Sequence, residues 1–84
     1  MHDFHEADRI SQIIKSELEK NNLKKLNQIN LELGSVVEHG EEIKAENLEF
    51  NIRLILKDYL NNKTKIIIDK VKGNGWKLVS IDGE

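Results

Sequence analysis

From Phe4 onward the apolar residues Ala7, Ile10, Ile13, Ile14 and Leu18 recur at three- and four-residue steps. That spacing predicts an amphipathic helix over residues 4–21. His2 or Asp3 stands where an N-cap would, and Asp3, Glu6 and Asp8 suit the positive end of the helix dipole. Asn21 and Asn22, followed by Lys24 and Lys25, mark its end. Ile29, Leu31 and Leu33 then alternate with Asn30 and Glu32, the pattern of a half-buried strand, closed by Gly34. The run Ser35 to Glu42, SVVEHGEE, reads as an acidic loop.

The next stretch, LEFNIRLIL, carries two periods at once. Leu48, Phe50, Ile52, Leu54 and Leu56 alternate as in a strand, whereas Leu48, Ile52, Ile55, Leu56 and Tyr59 share one face of a helix. The apolar pattern persists to Leu60, too far for a strand, so a helix over about 44–61 is expected. TKIIIDKV and GWKLVSID are β-rich segments meeting at Asn74-Gly75, a strong hairpin signal.

The order is helix, strand, helix, strand, strand. A strand–helix–strand unit crosses over to a parallel pair, and the last strand should run antiparallel to the second. The expected fold is α+β: one domain over residues 1–84, two layers, a mixed three-stranded sheet with two helices on one face. With a two-residue turn, Ile68 would pair with Ile81 and Val71 with Leu78. Ile66, Ile68, Val79 and Ile81 then share one face, and Ile67, Val71, Trp76 and Leu78 the other. Two apolar faces with helices for only one make Ile67, Val71, Trp76 and Leu78 a candidate partner or homodimer surface. On the bland alternative they lie under helix ends or at strand tips.

Composition narrows the function classes. The chain has 84 residues, is 38% hydrophobic and 33% charged, and has a formal net charge of −2, so it lacks the electrostatic footprint of a nucleic-acid binder. No apolar run approaches the roughly 18 residues that span a bilayer. The acidic start is not a signal-peptide n-region, and a cytoplasmic location is expected. With no cysteine there is no thiolate for zinc and no cysteine nucleophile. GNG lacks the strand–helix context of a phosphate loop, and the serines stand in no catalytic motif, so no enzyme activity is expected.

One constellation carries chemistry. The Met1 amine, the His2 amide and the His2 imidazole can close a five- and a six-membered chelate ring on one ion, with the Asp3 amide as a fourth nitrogen. Such a square-planar site suits Ni(II) or Cu(II); zinc prefers a tetrahedron. It requires a free Met1 amine. The competing reading makes His2 a frayed terminal residue. His39, among Glu38, Glu41 and Glu42, and His5, three residues after His2, are candidate additional metal ligands or plain surface residues.

Three stretches together resemble the HypA-type nickel-incorporation proteins, metallochaperones of nickel–iron hydrogenase maturation. MHDFHEADRI resembles the family's Met-His-Glu opening into a long helix. INLELGS followed by ENLEFNI is similar to its strand ending in Leu-Gly and its Glu-x-Leu-x-Phe helix start. GNGWKLVSIDGE resembles its closing strand. The resemblance implies a nickel site at Met1, His2 and Asp3 with His2 indispensable, a helix for LEFNIRLIL, and a mixed three-stranded sheet. It implies as partners a HypB-type GTPase and the hydrogenase large subunit, with urease as a further client in some bacteria.

The chain departs from the family in four places. The cysteine-rich zinc module is absent, with a hairpin expected at 72–76 in its place, and no zinc site is expected. Asp3 replaces Glu, Glu6 stands at a usually apolar position, and the loop after Gly34 is longer and more acidic. The alternative from another class is a metal-free protein-interaction module using the sheet face with Trp76.

Overall fold

The computed structural model describes residues 4–38 and 40–84. The elements run α1 (Phe4–Lys20), β1 (Leu26–Ser35), β2 (Val37–Glu38), β3 (Glu41–Glu42), α2 (Ala45–Ile55), a 3-10 turn (Lys57–Tyr59), β4 (Lys65–Asn74) and β5 (Trp76–Gly83). The main sheet is three-stranded and mixed, in the order β4-β1-β5, and the fold is α+β.

In α1 the residues Ala7, Ile10, Ile14 and Leu18 are buried, as the period requires. Ile13, expected on the same face, is instead 44% exposed, and Ser11 takes a fully buried place between Ala7 and Ile14. The helix ends where Asn22 adopts a left-handed φ of 55°. Leu23 N–H then bonds the Leu18 carbonyl (2.9 Å) and Asn22 N–H the Glu19 carbonyl (3.3 Å). This is a Schellman stop, with asparagine in the position that usually calls for glycine.

β1 lies at the centre of the sheet and buries Leu26, Ile29, Leu31 and Leu33 against the helices. It pairs parallel with β4, Ile29 opposite Ile66 and Leu31 opposite Ile68. It pairs antiparallel with β5, Ile29 opposite Ile81, Leu31 opposite Leu78 and Leu33 opposite Trp76. α2 is a helix, resolving the double period, and buries Leu48 and Ile52. It is shorter than 44–61, because the chain tightens into the 3-10 turn after Leu56. The acidic segment is no open loop: β2 and β3 pair as a small antiparallel hairpin turned at Gly40, with Ile43 N–H bonded to the Val36 carbonyl at 2.8 Å.

The hairpin expected at 72–76 is overturned. β4 and β5 run antiparallel, but they are not neighbours, because β1 lies between them. The strands they would have joined are two spacings apart, about 9–10 Å, which a two-residue turn cannot span. Nor does Asn74 take the positive φ that a type I′ turn demands; Gly73 and Gly75 do, at 104° and 85°. The connection passes over the end of β1, where Gly34 N–H bonds the Gly75 carbonyl (2.7 Å) and Gly75 N–H the Ser35 carbonyl (3.1 Å). A Cβ at Gly34 would lie 2.6 Å from the Gly73 carbonyl oxygen, so this crossing needs glycine.

The pairing of faces changes with it. The register against β1 shifts between Asn30 and Leu31, leaving Val79 as an extra residue in β5. Such a bulge inverts the side-chain alternation beyond it. Trp76, Leu78 and Ile81 therefore pack on the core, and Val79 is 51% exposed. Ile67 and Val71 lie exposed. The four residues proposed as one partner surface are divided between core and solvent.

Candidate metal centre and the open sheet face

Met1, His2, Asp3 and His39 lie outside the described residues. The chemistry proposed for them joins the fold at two places, the first turn of α1 and the tip of the β2–β3 hairpin.

At the first of these, Glu6 is the pivot. Its side chain is only 13% exposed, and one carboxylate oxygen lies 3.6 Å from Arg9 Nη1, one helical turn on. The other accepts a 2.8 Å hydrogen bond from the Trp76 indole Nε1–H. A mostly buried carboxylate is costly unless donors reach it, and Trp76 supplies one from the first residue of β5. The start of α1 is thereby fastened to the end of the sheet, beside the Gly73–Gly75 connection. His5, in the same turn, is exposed.

At the second place, Glu41 and Glu42 are exposed, and Glu42 pairs with Lys70 of β4 at 3.4 Å. A shallow cavity of about 370 Å³ next to this pair is lined by Glu42, Ile43, Lys44, Ala45, Glu46 and Lys70, so its charges largely neutralise one another. Among the described residues no three His, Asp or Glu side chains come together to hold a metal.

The sheet face away from the helices is uncovered. It carries Gln28, Asn30 and Glu32 on β1 beside Lys65, Ile67 and Asp69 on β4, paired in that order. Gln28 Nε2 donates to Asn30 Oδ1 (3.0 Å), and Asn30 Nδ2 donates to Ser80 Oγ (2.9 Å). These bonds give the face a polar spine, flanked on β4 by exposed Ile67.

Sequence reasoning treated Glu6 as a departure from an apolar position and missed its tie to Trp76. No local signal could have found it, since the partners are 70 residues apart. No family model matches the chain, and no curated protein matches it. Among the described residues no helix is long and apolar enough to cross a membrane.

Proposed function

We propose that this chain is a HypA-like nickel-binding metallochaperone that takes Ni(II) at its N-terminal Met1-His2-Asp3. The Met1 amine, the His2 amide and the His2 imidazole bind the ion, and Asp3 completes the set. Each must be free of its proton to bind, so nickel uptake releases protons and weakens on acidification. On this reading the protein acts in the cytoplasm with a HypB-type GTPase and delivers nickel to the hydrogenase large subunit, without catalysing a reaction itself. His39 and His5 stand as additional ligands to be tested.

The observation that carries the reading is the Met-His-Asp start joined to a helix in a chain of order α-β-α-β-β. The mixed sheet is the one the resemblance implies. Support also comes from the Glu6–Trp76 bond, which holds the first turn of α1 against the sheet. In the place of a zinc module β4 and β5 are joined through Gly75, so the proposal assigns no zinc to this chain. The test is His2→Ala: it abolishes stoichiometric Ni(II) binding if the reading holds, and unchanged binding removes it.

A second reading, a metal-free interaction module, is favoured by one observation, the uncovered sheet face with Ile67 exposed. Trp76 and Leu78 no longer belong to that surface.

A further inference from the structure

The sheet has two free edges, and they differ. β5 is broken by the bulge at Val79, which twists an edge and interrupts any further pairing. β4 is regular: from Lys65 to Lys70 it follows β1 residue for residue, Gln28 to Leu33, without a shift. A regular edge strand presents a row of backbone N–H and C=O groups that another strand can take up. Its sequence there is Lys65-Ile66-Ile67-Ile68-Asp69, β-branched at the centre and oppositely charged at the ends.

We propose that two copies of this chain pair edge to edge through β4, antiparallel about a two-fold axis at Ile67. On that axis Ile67 meets Ile67 of the other copy, Ile66 meets Ile68, and Lys65 meets Asp69. Isologous pairing of this kind closes a dimer and joins the two sheets into one of six strands.

Charge selects both the occupant and the register. On the open face Asp69 has Glu32 as its cross-strand neighbour on β1, an unfavourable like-charge pair, and Lys65 has only the neutral Gln28. Among the described residues neither Lys65 nor Asp69 takes part in an ion pair. A second copy supplies what each lacks, twice over by symmetry. Neighbouring registers do not. An axis at Ile66 puts Lys65 against Ile67; one at Ile68 puts Asp69 against Ile67 and Lys70 against Ile66; one at Asp69 opposes the two aspartates. The exposed Ile67, 39% accessible in the single chain, is covered only by pairing at or near its own position. This inference is independent of nickel.

Strand pairing of this length buries less than the roughly 1,200 Å² typical of a stable interface, so the dimer is weak and concentration-dependent. Sedimentation equilibrium of the full chain from about 10 µM to about 1 mM should show it. Asp69→Lys and Lys65→Asp each oppose like charges twice and should weaken dimerisation by about tenfold or more. The double variant Lys65→Asp/Asp69→Lys restores complementarity and should return to within about threefold of the parent. Both side chains are exposed, so far-UV circular dichroism should be unchanged throughout. A monomer at every concentration, a dimer indifferent to the single reversals, or a double variant no better than the singles would each overturn the proposal.

Discussion

The Trp76 indole donates to the Glu6 carboxylate at 2.8 Å, tying the first turn of α1 to the first residue of β5. Glu6 is mostly buried, and Arg9 reaches it only from the exposed side. The bond thus fixes the start of α1 against the end of the sheet. Trp76→Phe removes the donor and should cost about 1–2 kcal/mol in urea unfolding. With Glu6→Ala as the second arm, a double-mutant cycle should give a coupling of about 1 kcal/mol. Strict additivity would show that the two side chains do not stabilise the fold through each other.

Gly34 lies under the Gly73 carbonyl at a distance no Cβ tolerates. Gly34→Ala should therefore destabilise by about 2–3 kcal/mol through displacement of the β4–β5 connection. Gly40, with φ of 84° and open space around it, offers the contrast. Gly40→Ala should cost only the left-handed backbone penalty, about 1–2 kcal/mol. Chemical denaturation of the two variants checks the ranking, and an indifferent Gly34→Ala would argue against the crossing over β1.

The helical reading of LEFNIRLIL separates two large residues only two positions apart. Ile52 is fully buried and Phe50 is 63% exposed. Ile52→Ala should cost about 2–5 kcal/mol, whereas Phe50→Ala should stay within about 0.5 kcal/mol. Comparable losses at both positions would fit the strand alternation instead.

Ser11 is fully buried, and its hydroxyl has no hydrogen-bond partner among the described residues. Ser11→Ala removes an unsatisfied polar group and improves helix propensity, so thermal unfolding should move upward, by about 1 kcal/mol of stability. A loss of stability would mean that the hydroxyl finds a partner in solution.

Sequence pattern was legible wherever one period ran unbroken. Ala7, Ile10, Ile14 and Leu18 announce α1, and Ile29, Leu31 and Leu33 announce the buried face of β1. The parallel pairing of β1 with β4 followed from the helix between them. Legibility failed where a single residue changed the count. Val79, as a bulge, moves Ile81 onto the face of Trp76 and Leu78, and nothing in GWKLVSID marks it. Asn74-Gly75 is a sound hairpin signal defeated at long range, because the apolar β1 takes the centre of the sheet and keeps β4 and β5 apart. Ile13 is exposed and Ser11 buried, which the apolar spacing of α1 alone does not mark. For the site, the N-terminal tripeptide was readable as chemistry, but the Glu6–Trp76 contact at the start of α1 spans nearly the whole chain.

The most direct measurement is calorimetric titration of Ni(II) into tag-free protein whose Met1 amine is free, followed by absorption spectroscopy of the complex. One Ni(II) per chain, the absorption of a square-planar complex, and loss of both on His2→Ala or on acetylation of the Met1 amine are expected. Absence of stoichiometric binding, or binding that survives either change, would contradict a nickel site at Met1, His2 and Asp3.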